Sequence, residues 1–481
     1  MDRINHCAFA TRFPDALART TLLGLFASSS VVEIADPYVA TSRETEGALE
    51  HIAESVASLT EWVKSGPKPD PQLARRGHLR FLWLIELDYK SGMWHGANLR
   101  WFNLAREVIA LGHQAHFLVN RQSAEDLQAM RGYLDGLVQD RIITGYFETA
   151  YEYPAWRGRL ATWASWPPIA NCLLHRYQRR IATEVSELVT AQRFDVCLVG
   201  ERRLLFLLST LQRTTRVIVD WGDSFVLYYG RQIRTQLGLW RLRGLLRDLR
   251  ELVCAYLLER YYGRRSDVNL VVSPVDKRCL DRVNGVPSRN HVLLNGLRYP
   301  SQQVWTKKIA NRIVFTGNMN FPPNYEAAIW FVDHVMPLVC RSRPDVEFVV
   351  AGRNPVPELL RKASKGVRIL GAVDDMHHEI AKSAVYVAPL ISGGGFKNKI
   401  LEAISSGTIV VATPTAVEFL DEGLRHLLLV GGTPEEMATQ IVSVLEDPQL
   451  HEARLQRLRQ RIYDEFTWEG RANELARLAR P

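Results

Sequence analysis

The sequence predicts an α/β protein made of two parallel-sheet domains in tandem, preceded by a partly helical extension. Three observations predict it. Short apolar runs rich in Val, Ile and Leu alternate with helix-like stretches, the pattern of parallel strands joined by crossover helices. That alternation runs through two successive series, one from His78 and a second from Arg312. Between them, residues 297–311 are polar, with Pro300 and the pair Lys307-Lys308, as a hinge requires.

Residues 1–77 form the extension. Leu49, Ile52, Val56, Leu59 and Val63 recur at three- and four-residue steps, which predicts a helix over residues 46–64. The proline-rich stretch 66–71 then reads as a linker. The first domain, residues 78–300, carries predicted strands at 79–85, 114–119, 195–199, 217–219, 268–272 and 291–294. A helix follows Gly96, with Leu99, Phe102, Leu104, Val108 and Ile109 inward and Gly112 at its end, and Arg100 reads as solvated, with reach into the cleft as the alternative. The second domain, residues 301–465, carries strands at 312–317, 346–351, 367–370, 384–390 and 408–412, and residues 466–481 form a terminal helix.

Composition narrows the class. Of 481 residues, 47% are hydrophobic and 23% charged, an ordinary balance for a water-exposed globular chain of several domains. The net charge of +8 suits a polyanionic ligand or an anionic surface. No zinc finger, basic zipper or RNA-recognition pattern is present, so nucleic acid is not an expected partner. The six cysteines are scattered without a CxxC pair, which fits a reducing cytoplasm. No apolar run is long enough to span a bilayer, although 240–253, where arginines alternate with leucines, suggests peripheral contact with an anionic membrane. A domain helix with solvated arginines is the competing reading, favoured by Asp248, Glu251 and Glu259, which dilute the basic face. There is no HxxxH or DxD arrangement, so no metal is expected.

The chemistry concentrates in residues 389–403. After the apolar run 384–388 come Gly393-Gly394-Gly395-Phe396-Lys397-Asn398-Lys399, and then the helical pattern Ile400, Leu401, Ile404. Glycines permit positive φ and close backbone approach, and a helix start presents free N–H groups, so strand, turn and helix together make an anion site. Lys397 and Lys399 add positive charge where a diphosphate would sit. Glu402 stands about 6 Å along the helix from Asn398, at ~1.5 Å per residue. That reach suits the hydroxyls of a ribose beyond the phosphates. Arg353, just after Gly352 at the end of another strand, is a candidate charge partner for the diphosphate, with a solvated loop arginine as the alternative.

The segment 393–403, with 407–413, Glu418, 346–353 and 371–375, resembles the donor site of glycosyltransferase family 4, in its glycine-rich form. These are retaining enzymes of the GT-B fold, two Rossmann-like domains facing across a cleft. The resemblance is close over about residues 310–470 and loose over 79–300. It implies transfer of a sugar from a UDP- or GDP-linked donor, without metal or cofactor, to a glycan or lipid-linked hydroxyl in bacterial polysaccharide or glycoconjugate synthesis. It also implies that the last helix crosses back onto the first domain. Family members often place an acidic residue or histidine near the acceptor, which points to Asp223 (with a helix N-cap as its alternative role). His95 falls in a loop that resembles the family's usual pair of glycines beside donor phosphate and acceptor, so it is a candidate contact there, with a surface histidine as the alternative.

Three positions depart from the family pattern. Asn318 and Asn324 stand where an arginine and a lysine usually hold the diphosphate. Gly394 stands where a first glutamate would contact the donor sugar, leaving that contact to the N–H groups of Gly394, Gly395 and Phe396. Those departures keep two other functions open: a nucleotide-sugar epimerase on the same framework, and a non-catalytic partner subunit.

Overall fold

The computed structural model describes residues 77–87, 96–120, 126–149, 175–238, 244–297 and 307–480, all within one compact unit, residues 62–481. The predicted helix at 46–64, the linker at 66–71 and His95 lie outside the described residues.

The first sheet has seven parallel strands: β1 (Arg80–Leu84), β2 (Gln114–Asn120), β3 (Gly145–Thr149), β4 (Val196–Val199), β5 (Arg216–Gly222), β6 (Val268–Val271) and β7 (Asn290–Val292). Their order is β3-β2-β1-β4-β5-β6-β7. The second sheet has six: β8 (Ile309–Thr316), β9 (Glu347–Ala351), β10 (Val367–Gly371), β11 (Ser383–Ala388), β12 (Ile409–Ala412) and β13 (Leu429–Val430). Their order is β10-β9-β8-β11-β12-β13, again all parallel. In each sheet the order reverses once, beside β1 and β4 in the first and beside β8 and β11 in the second. Such a reversal opens a crevice at the carboxyl ends of the strands, because the two flanking connections leave toward opposite faces.

The central strands are apolar throughout because both of their faces are covered. Phe81, Leu82, Trp83 and Leu84 in β1 are fully buried, as are Val385, Tyr386, Val387 and Ala388 in β11. The connections are helices: α1 (Gly96–Ala110), α2 (Leu127–Gln139), α3 (His175–Gln192), α4 (Phe225–Gly238), α5 (Leu245–Gly263) and α6 (Pro274–Asn284) in the first domain. The second domain uses α7 (Pro322–Trp330), α8 (Asn398–Ser405), α9 (Pro434–Glu446) and α10 (Gln449–Glu465). Helix α6 shows how local sequence sets the ends. Ser273 accepts the Asp276 N–H at 3.1 Å, Pro274 opens the first turn, and Gly285 stops the helix at φ 69°.

The final helix, α11 (Trp468–Ala479), belongs to the first domain's core. Trp468, Ala472, Leu475 and Leu478 pack with Phe81, Trp83 and Phe102, and Arg216 Nε donates to Leu478 O at 3.1 Å. The crossing is tight at its start: Leu297 N donates to Phe466 O at 2.7 Å, and the Trp468 ring covers Gly296. Among the described residues, no helix is long and apolar enough to cross a membrane, and no cluster of metal-ligating side chains occurs.

Candidate functional site

A cavity of about 530 Å³ lies between the domains, at the carboxyl ends of β8 and β11. Its floor is the glycine loop between β11 and α8, together with Thr316, Gly317 and Asn318 after β8. Its opposite wall comes from Asp223, Phe225, Tyr228 and Tyr229 of the first domain. It therefore sits at the point where the second sheet's strand order reverses.

The loop is held by its carbonyls. Arg231 Nη1, from α4 of the first domain, donates to Gly393 O at 2.7 Å. Lys397 Nζ donates to Gly394 O at 2.8 Å and to Gly395 O at 2.9 Å. In a trans peptide the N–H points opposite to the C=O of the same unit. Tying back the carbonyls of Gly393, Gly394 and Gly395 thus fixes the N–H groups of Gly394, Gly395 and Phe396 in the other direction. None of these three N–H groups has a protein acceptor among the described residues. The start of α8 also has no side-chain cap, so its first amides add to the same donor set.

This geometry corrects the expected role of Lys397. Its ammonium does not stand free for a phosphate. It is buried against the loop carbonyls, 3.8 Å from Glu418 Oε1. Burial lowers its pKa, while Glu418, Asp223 and Asp276 support the charged form. Lys397 is the fastener of the loop.

Lys399 is the lining cation whose ammonium is not bonded to the loop carbonyls. Its Nζ donates to Asn324 Oδ1 at 2.6 Å and lies 4.8 Å from the centre of the Phe315 ring. Burial pushes its pKa down to about 7, against the pull of Glu402. Asn324, buried, also donates from Nδ2 to Asn318 O at 3.0 Å, so it fixes Lys399 and the Asn318 loop together. A β-carbon on Gly317 would lie 2.7 Å from the Asn324 amide and 2.9 Å from Lys399 Nζ, which is why this turn carries no side chain. Glu402, half-buried in the cavity wall, has its pKa raised by burial, with His377 and Lys399 opposing the shift.

Asp223 reaches the loop from the other side. A β-carbon on Gly395 would lie 1.9 Å from its Oδ1, so the carboxylate rests directly on the glycine, which itself has φ 71°. The competing role as helix cap belongs to other residues. Ser224 Oγ accepts the Leu227 N–H at 3.3 Å, and Glu259 accepts from Val226 N at 3.2 Å and from Ser224 Oγ at 3.0 Å. Burial and the neighbouring Asp276 raise the Asp223 pKa to about 6, with Lys397 and Arg100 opposing. It is still mainly ionised at neutral pH.

The remaining predicted positions divide. Asn318 lines the cavity with its side chain exposed, and Gly394 lines it with a β-carbon's worth of open space. Phe396 contributes backbone and turns its ring back onto Phe419, at 4.5 Å between centroids. Arg353 does not join: its side chain is exposed and forms no part of the cavity wall, and the loop engages the domain through its carbonyl, which accepts from Met319 N at 2.9 Å. Arg100 is buried, not solvated. It holds Asp220 through Nε at 2.7 Å and donates to Leu293 O and Asn295 Oδ1; Asn295 in turn reaches Asn398 Oδ1 at 3.3 Å.

Sequence reasoning noted Glu418 within the resemblance but missed its partner Arg231 and the Tyr228–Phe321 pair, which bridge the domains. Arg231 forms a two-pronged ion pair with Glu418, with Nη2 at 2.7 Å from Oε2. Tyr228 stacks on Phe321 across the cavity mouth, at 6.3 Å and 13° between ring planes. Neither partner is a sequence neighbour of the other, so no local pattern announces them.

The two facing sheets define the GT-B fold. Anabaena HepE, solved in complex with UDP, superposes with a TM-score of 0.56 at 15% identity, over 83% of this chain and 99% of that one. Residues 310–447 match the family model described as glycosyl transferases group 1. Phosphatidyl-myo-inositol mannosyltransferase of Mycolicibacterium smegmatis is 31% identical over 163 residues, 32% of this chain and 41% of that protein. The Mycobacterium leprae protein of the same name is 25% identical over 281 residues, 52% of this chain and 71% of that protein. The chain thus spans less than half the length of the M. smegmatis relative.

Proposed function

We propose that the chain is a retaining glycosyltransferase that moves a sugar from a UDP- or GDP-linked donor to a glycan or lipid-linked hydroxyl. One observation carries the reading: three unpaired loop N–H groups, the Lys399 ammonium and the Glu402 carboxylate meet in one cavity at the reversal point of the second sheet. Amides and a cation match a diphosphate, and a carboxylate matches the paired hydroxyls of a ribose. The family match over residues 310–447 supports the same assignment.

In the transfer, the bond from the sugar's anomeric carbon to the diphosphate oxygen breaks, and the acceptor oxygen bonds to that carbon on the same face. The acceptor's proton passes to the departing phosphate. The loop amides and Lys399 stabilise the negative charge that grows on the leaving group. Asp223, ionised and facing the loop from the first domain, stands where it favours positive charge on the sugar ring or orients the acceptor hydroxyl. The buried, unpaired thiols of Cys197 and Cys254 suit a cytoplasmic setting.

A thermal-shift panel of UDP- and GDP-sugars tests the reading. A donor at about a hundred times its Kd adds ~2.7 kcal/mol of stability. The stabilising donor is then offered acceptors, and the anomeric configuration of the product is read by NMR. Failure of every nucleotide sugar to raise the unfolding temperature refutes the assignment, and an inverted product refutes retention.

A further inference from the structure

Helices α4 and α5 pack side by side and carry the aromatic wall of the cavity into an outward surface with an unusual make-up. The described residues exposed on these helices and at Gly244 are Arg234, Leu237, Gly244, Leu246, Arg247, Leu249, Val253 and Tyr256. Each is apolar, arginine or glycine. Leu246 is 83% exposed, and Leu249, Val253 and Tyr256 follow it at steps of three, four and three residues, which is one face of a helix. The acids of α5 are elsewhere: Asp248 and Glu259 are buried, and Glu251 is half-buried against Arg250. The acids therefore do not dilute the outer face, contrary to what the sequence alone suggests.

A helix face of large apolar side chains is costly to leave in water, and an arginine at its edge adds attraction to negative charge without opposing the apolar contact. That pairing is the make-up of a helix lying in the interface of an anionic bilayer. The surface also continues into the site. Tyr228 and Tyr229, in the cavity wall, both lie close enough to Asp248 at the start of α5 to feel its charge. We propose that the outer face of α4 and α5 docks on an anionic lipid surface and places the cavity mouth at the lipid headgroups. The second half of this proposal rests on the glycosyltransferase reading and makes the acceptor a lipid-linked hydroxyl; the docking itself does not depend on it.

Flotation of the full chain with vesicles tests the docking. The chain rises with vesicles of phosphatidylcholine mixed equally with phosphatidylglycerol, stays behind with phosphatidylcholine alone, and is released by high salt. Arg234→Gln with Arg247→Gln weakens vesicle binding roughly thirtyfold, taking each arginine's attraction to an anionic surface twice over. Leu246→Ser with Leu249→Ser abolishes it. Both double variants keep wild-type nucleotide affinity in vesicle-free titration, because none of the four residues lines the cavity. No binding to the anionic vesicles, equal binding to both kinds, or binding unchanged in both variants overturns the proposal. So does a wild-type dimer in sedimentation that Leu246→Ser with Leu249→Ser dissociates, since the face would then belong to a second copy. Loss of nucleotide binding by the wild type refutes the transferase reading and leaves the docking result standing.

Discussion

Raising the pH from 7 to 9 should weaken nucleoside diphosphate binding roughly fiftyfold. Burial brings the Lys399 pKa to about 7. Only the ammonium form pairs with the diphosphate, and once bound it faces an anion that keeps it protonated. The apparent Kd therefore scales as one plus ten to the power (pH − 7), which is about 2 at pH 7 and about 101 at pH 9. The ligand adds little of its own, because a terminal phosphate with a pKa of about 6 is largely ionised from pH 7 upward. Nor does unfolding intervene through this group. Between about pH 7 and the ordinary lysine value the unfolded chain holds more protons at this position, so the group's contribution to stability rises with pH. Calorimetric titration of UDP and GDP across this range, on the wild type and on Lys399→Met, measures the effect. A flat wild-type profile, or an equal slope in the methionine variant, refutes the assignment of Lys399 to the diphosphate.

Other perturbations follow from the same contacts. Glu402→Ala should lower transfer by about a hundredfold, the scale of losing one charged contact in a closed site, measured as kcat/KM. Gly395→Ala should cost about 1–2 kcal/mol for the left-handed backbone alone, plus the collision with Asp223; unfolding midpoints check it, and adding Asp223→Gly should recover the collision's share but not the backbone's. Arg231→Ala and Glu418→Ala should be non-additive by about 1 kcal/mol in a double-mutant cycle on stability. Arg231→Ala should also weaken nucleotide binding more than Glu418→Ala does, since only Arg231 holds the Gly393 carbonyl.

Much of this was legible in the sequence, for reasons visible in particular elements. β1, β4, β11 and β12 are buried on both faces, so their apolar runs have no other explanation. β3 was missed because it is an edge strand whose residues Gly145, Tyr146 and Glu148 are half-exposed, and β13 because it has two residues. The glycine loop was legible as a turn leading into a helix start, but its sequence does not say which way each lysine turns. Lys397 turns inward because two carbonyls and Glu418 await it, and those partners exist only once the loop is folded. Asp223 was ambiguous for a similar reason. The residue that helps Ser224 cap α4 is Glu259, far along the chain and supplied by α5.

A crystal structure of the chain with UDP or GDP, whichever binds tighter, tests the central claim most directly. The account predicts diphosphate oxygens at hydrogen-bond distance from the N–H groups of Gly394, Gly395 and Phe396 and from Lys399 Nζ, with Glu402 on the ribose hydroxyls. A nucleotide seated elsewhere in the cleft, with those amides still unpaired, would contradict it.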